Sequence, residues 1–184
     1  MSLKKRPIGV VTTGAVPEII SNAISAHVLG YLNLEADILP PIEHPIYAYD
    51  KKRQQYNAAT ILKAFESMPF HNYEKVIGVF EIDLFVPILS HVFGEAKQGG
   101  KFALVSLHRL KRNVDGSNSS ESLQIERAAK VALHELGHLY SLIHCMDRRC
   151  LMHFSGELED LDETPLYFCR YCLVYLRDAL STVK

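Results

Sequence analysis

From Ser122 to Ile143 the sequence carries a long helical pattern, free of proline and rich in strong helix formers. No other stretch constrains the fold as much. Arg127, Lys130, His134, His138 and Ser141 recur at spacings of three and four and make one polar stripe. Ala129, Ala132, Leu133, Leu136, Leu139, Leu142 and Ile143 cover the remaining faces. A helix so apolar elsewhere belongs inside a domain, so its polar stripe must line a cleft or a metal.

The preceding half offers layers that could bury such a helix. Ile8 to Thr13 reads as a strand, and an amphipathic helix opens at Pro17 and runs to about Leu29, with Gly30 as its stop. Ala36 to Leu39 is a second strand, ended by Pro40-Pro41; Asn57 to Ser67 is helical; Lys75 to Glu81 is a third strand. Val86 to Phe93 and Phe102 to Leu107 read as two more strands around a loop from Gly94 to Gly100. The apolar runs are nearly unbroken, which suits strands covered on both faces, so a mixed α/β (α+β) sheet with helices against it is expected. Lys111 to Ser122 reads as a polar surface loop and Tyr167 to Leu180 as a terminal helix.

At 184 residues one compact domain is the leading expectation. We divide it into residues 1–138, with the sheet and the long helix, and 139–184, a small C-terminal subdomain. A formal net charge of −1 gives no reason to expect nucleic acid or an anionic membrane as partner. Lys4, Lys5 and Arg6 precede an apolar stretch of only Ile8 to Thr12, too short for a secretory leader, and no run reaches the length of a membrane span. The chain therefore reads as soluble and cytoplasmic. Its oligomeric state is open.

The chemistry is concentrated in His134-Glu135-Leu136-Gly137-His138 and the residues that follow. Residues four apart on a helix stack one turn above each other, so His134 and His138 can bind one ion. Glu135 lies about 100° around from His134, near enough to reach a water on that ion without becoming a ligand. Zinc held by three protein ligands keeps an open position, and a carboxylate beside its water can take a proton and later deliver one to a leaving amine. His144 is the candidate third ligand. In an unbroken helix it would sit about 9 Å beyond His138 and roughly 120° around, so the chain must break near Ser141 and turn back.

All four cysteines fall in the last part of the chain: Cys145, Cys150, Cys169 and Cys172. Two thiolate pairs at such spacing suit a structural zinc closed to substrate, which would pin the polar and otherwise weakly anchored segment from Asp147 to Pro165; two disulfides are the alternative in an oxidising compartment. Two zinc ions per chain are thus expected, one catalytic and one structural.

These residues resemble the metzincin metallopeptidases, and within them the archaemetzincins. His134, Glu135, His138 and His144 match the metzincin ligand pattern, which has glycine where this chain has Ser141. The four cysteines match the cluster that archaemetzincins add. The resemblance implies a zinc-dependent peptidase acting on peptide or protein substrates, with Glu135 as general base. It also implies Met152 as the methionine of a turn beneath the histidines, and an edge strand that pairs with extended peptide. His91 to Ala96 is the candidate for that strand or its flank, a buried hairpin strand being the alternative, and His108 and Tyr140 are either cleft residues or ordinary packing. His153 reads as a surface or supporting residue rather than a ligand. The competing functional reading is a non-catalytic, zinc-stabilised peptide-binding or scaffold protein; a hydrolase of other amides or esters is a third. Exopeptidase and endopeptidase action stay open.

Overall fold

In a computed structural model, which describes residues 6–182, the elements follow in the order β1 (Ile8–Thr12), α1 (Glu18–Leu32), β2 (Ala36–Ile38), β3 (Tyr49–Asp50), β4 (Gln55–Asn57), α2 (Ala58–Phe65), β5 (Val76–Phe80), β6 (Leu84–Phe85), β7 (Gly94–Ala96), β8 (Phe102–Ser106), α3 (Glu121–Leu139), α4 (Leu158–Glu163) and α5 (Arg170–Thr182). The basic stretch with Lys4 and Lys5 lies outside the described residues. Five strands form one mixed sheet in the order β2-β1-β5-β8-β7. All neighbours are parallel except the last pair, where β7 runs antiparallel to β8 with Gly94 opposite Val105 and Ala96 opposite Ala103. β3, β4 and β6 form a small second sheet.

The alternation of side chains along the strands divides the core in two. Ile8, Val10, Ile77, Val79, Ala103 and Val105 face α1 and α3, meeting Ile20, Ile24 and Val28 of the first helix and Ala128, Ala132 and Leu136 of the second. Val11, Val76, Phe80 and Leu104 face the other way, against Ile61 and Phe65 of α2. Both faces are therefore covered, as the unbroken apolar runs require. Leu151, Met152, Leu161, Phe168, Leu176 and Leu180 join the α3 side of this core. Among the described residues no helix is long and apolar enough to cross a membrane.

Three expectations are corrected. α1 passes through Gly30 and ends at Leu32, because Asn33 supplies the left-handed residue (φ 52°) that closes it. The strand expected over Val86 to Phe93 is an irregular segment: Pro87 lacks a backbone donor, Ile88 is 89% exposed, and Arg53 holds the carbonyls of Pro87 and Leu89. The edge strand is instead Gly94–Ala96, at the start of what reads in sequence as a loop. The segment from Asp147 to Pro165 is polar but not weakly held, since it contains α4.

Two buried cations on α3 hold that helix in place. Arg127, 1% exposed, grips Asp162 through Nε and Nη2, both at 2.6 Å, and donates from Nη1 to the carbonyls of Leu110 (2.9 Å) and Arg112 (2.7 Å). Lys130, also buried, pairs with Glu126 at 2.8 Å and donates to the carbonyls of Leu161 and Asp162 at 3.2 Å. Burying such charges costs several kcal/mol unless partners are supplied, and here every partner lies on α4, on the turn before α3, or one helical turn away.

Candidate active site and its metal ligands

α3 is opened by Ser120, whose hydroxyl accepts from the Leu123 N–H, and it stops within one turn of His138. Ser141 takes φ 69°, the Ser141 N–H donates to the His138 carbonyl (2.9 Å), and the Leu142 N–H reaches back to the Gly137 carbonyl (2.9 Å). This double bond pattern closes a helix with a left-handed residue. The expected break is therefore at Ser141 itself. The loop after β7 buttresses it: the Gly99 N–H donates to the His138 carbonyl at 2.8 Å and Gln98 Nε2 to the Ser141 carbonyl at 3.2 Å.

The turn sends His144 back to the helix. His138 Nε2 lies 3.0 Å from His134 Nε2 and 3.2 Å from His144 Nε2. The His134 Nδ1–H donates to the Leu151 carbonyl (2.7 Å) and the His138 Nδ1–H to the Leu142 carbonyl (2.8 Å). A carbonyl only accepts, so both rings carry their proton on Nδ1 and turn bare Nε2 lone pairs toward one point. Such pairs repel unless a cation lies among them. Zinc–nitrogen bonds near 2.0–2.1 Å in a tetrahedron set ligand atoms about 3.3 Å apart, close to what is found. Burial, then the neighbouring His138, lowers the His134 pKa to about 3, so the ring stays neutral as a ligand must. Phe154 packs edge-on against the His144 ring at 5.2 Å.

Met152 packs against α3 at Gly137. It is fully buried, its carbonyl accepts from the Cys145 N–H at 2.7 Å, and its thioether rests on the helix backbone at Gly137. A Cβ at Gly137 would meet the Met152 sulfur, so a side chain there would displace the buried thioether. Gly94 plays the same part above: a Cβ there would lie 2.5 Å from Glu135 Oε1, so a side chain at this position would push Glu135 from its place under β7. Burial, then the nearby Glu95, raises the Glu135 pKa well above the ordinary carboxylate range.

β7 and the segment from Leu151 to Thr164 enclose a cleft of about 710 Å³, with His134, Glu135, His138 and His144 on its floor. The free edge of β7 borders it, within the expected His91 to Ala96 stretch. Of the polar stripe on α3, Lys130 reaches the cleft wall, whereas Arg127 is enclosed by its partners. Two other candidates lie off the cleft. Tyr140 is 5% exposed and packed inward under Lys75, and His108 borders a neighbouring recess. Sequence reasoning missed Gly94 and Phe154, since nothing local marks a glycine for what it approaches or an aromatic for the ring it abuts.

The cysteines form a second cluster. Their four sulfurs all lie within 4.8 Å of one another, and Cys145 Sγ is 3.8 Å from Cys169 Sγ. Zinc–sulfur bonds near 2.3 Å place tetrahedral ligands roughly 3.8 Å apart. All four are free thiols. Cys150 Sγ accepts from the N–H groups of Met152 (3.4 Å) and Cys169 (3.3 Å), yet burial still pushes its thiol up to about 11. Packed thiolates of this kind call for a compensating cation. His153 is not a member: its Nδ1 donates to the Cys145 carbonyl at 3.0 Å, a supporting contact.

Comparison with known proteins agrees with this geometry. The family model of Peptidase family M54 matches residues 24–178. The archaemetzincin of Pyrococcus furiosus is 36% identical over 177 residues, 95% of this chain and 92% of that one. The archaemetzincin of Methanocaldococcus jannaschii is 42% identical over 142 residues, 77% of each chain. The crystal structure of the Methanopyrus kandleri archaemetzincin superposes with a TM-score of 0.87 at 34% identity and covers 98% of both chains. A zinc-dependent peptidase from Methanocorpusculum labreanum gives 0.83 at 30% identity, over 92% of this chain and 99% of its own.

Proposed function

This chain belongs to peptidase family M54, the archaemetzincins, and is a zinc metallopeptidase; on that premise we propose that His134, His138 and His144 hold the catalytic zinc and that Glu135 is the general base. Bound there, zinc supplies a Lewis acid that brings the pKa of a water near 7 and polarises a carbonyl. Glu135 Oε1, turned into the cleft under β7, takes the proton of the attacking water and passes it to the departing amine. Its buried setting raises its proton affinity in the direction a base needs. Backbone groups on the free edge of β7 align an extended peptide over the histidines. Met152 forms the floor that keeps the rings in register.

Cys145, Cys150, Cys169 and Cys172 would hold a second zinc, closed to substrate, which pins a C-terminal subdomain spanning residues 139–184. Substrates are peptides or proteins, met in the cytoplasm. The observation that carries the catalytic reading is the convergence of three Nε2 atoms beside Glu135, on the floor of an open cleft. The test is cleavage of a mixed peptide library by zinc-loaded protein and by Glu135→Gln. Loss of activity by about 10²- to 10⁴-fold at unchanged zinc content supports the reading. Wild-type protein no better than the variant sinks it.

A further inference from the structure

Beside the cleft, sharing His91, Phe93 and Glu157 with it, lies a second recess of about 470 Å³. The mechanism above makes no use of it. Its remaining wall includes His108, Arg109, Lys111 and Arg112, and Glu157 is its one acidic lining residue among those described. The cations are not equally committed. Lys111 is paired with Glu81 at 2.5 Å, and Arg109 gives Nε and Nη2 to Asp83, both at 2.8 Å. Arg112 has no acidic partner among the described residues: Nη1 donates to Asn118 Oδ1 at 2.6 Å, and the residue is exposed. Arg109 Nη1 and Arg112 Nη2 are left with no hydrogen bond among the described residues. Glu157 bears electrostatically on Arg109 without taking these donors, which remain spare guanidinium N–H groups in the recess, the geometry that carboxylates match best.

Strand direction decides which part of a peptide meets them. β7 starts at Gly94, beside this recess, and runs toward Gln98 at the far end of the cleft. A peptide added antiparallel to β7, the more stable sense, runs from the Gln98 end toward His91. Its carboxy-terminal portion then enters the recess, beyond the point where Gly94 touches Glu135. The charge agrees, since the opposite direction would press an amino terminus against arginines. We propose that this recess is an anion subsite for the leaving-group side of the substrate, taking a free α-carboxylate or an Asp or Glu side chain through Arg112 and the spare edge of Arg109. This rests on the peptidase reading of the neighbouring cleft.

The test uses three peptides with a common amino half: one ending in a free acid, one in an amide, and one in an amide with an internal Glu replacing Gln. kcat/KM is measured with zinc-loaded wild type, Arg112→Gln and Arg112→Lys, and binding of the same peptides to Glu135→Gln is followed by fluorescence anisotropy. At low salt at least one anionic peptide should be preferred about tenfold over the neutral amide, and the preference should shrink as ionic strength rises. Preference for the free acid alone assigns the anion to the terminus; preference for the Glu peptide assigns it to a side chain. Arg112→Gln should bring the ratio to about one, and Arg112→Lys should retain part of it. Equal rates and equal binding for all three peptides overturn the subsite. Preferential binding without any cleavage by wild type keeps the subsite and overturns the peptidase reading.

Discussion

Ser141 carries the turn that brings the third histidine home, and its backbone conformation allows a direct energetic test. Its φ of 69° is left-handed, where a Cβ costs roughly 1–2 kcal/mol. Replacing it by glycine removes that cost but gives the unfolded chain more freedom, worth about 0.5–1 kcal/mol in the opposite sense. The net expectation for Ser141→Gly is a gain of about 0.5–1 kcal/mol. For a domain of this size that raises Tm by about 1–4 °C. Ser141→Ala keeps the Cβ and should leave Tm within a degree, because no hydrogen bond among the described residues depends on the hydroxyl. Ser141→Val adds a β-branched side chain where one is least tolerated and should lower Tm by more than the glycine raises it. The assay is thermal unfolding of the three variants and wild type at one fixed excess of zinc, since metal binding would otherwise contribute its own shift. A glycine variant no more stable than the alanine variant would refute the argument that backbone strain resides at this residue.

Other perturbations probe the walls of the site. Gly94→Val places a side chain where Glu135 Oε1 now lies, so peptidase activity should fall at least 100-fold while metal analysis finds the zinc content unchanged. Asp162→Asn deprives the enclosed Arg127 guanidinium of its counter-charge. Two carbonyls still hold Nη1 and Asp162 is partly exposed, so a loss of about 2–3 kcal/mol is expected by urea denaturation, below the usual cost for a fully buried pair. Cys172→Ser should lower the zinc stoichiometry by one in native mass spectrometry. Because Cys145 follows His144 directly, it should also make the remaining zinc easier to strip with a chelator; unchanged chelator resistance would show that the two centres are independent.

Much of the fold is legible in the sequence because burial writes it there. β1, β5 and β8 are covered on both faces and appear as unbroken apolar runs, while α3 appears as an apolar helix with one polar stripe. The three converging histidines are legible for a different reason: spacing on a helix is rigid, so His134 and His138 suggest a shared ion, and the need for His144 to turn back locates the break near Ser141. What escapes is set by partners distant in sequence. β7 is short, carries a glycine in a polar neighbourhood, and is a strand only because β8 lies beside it. Arg127 reads as a cleft residue until Asp162 is seen to reach it from α4. Pro87 contradicts a strand, but the surrounding Val86, Ile88 and Leu89 outweigh it in any local count of apolar residues. The helix stop at Gly30 fails because a left-handed Asn33 can do the same work three residues later.

The two rims of the cleft are gauged from one rigid rod. The upper rim rests on Glu135 through a bare glycine, and the lower hangs from Arg127 and Lys130. All three belong to α3, so the gap has little room to breathe, and a guest pays little for organising it. The adjustment falls to the guest instead. On the proposed reading, unstructured tails and short fragments would thread such a slot as they are, whereas a folded loop would first have to be pulled straight.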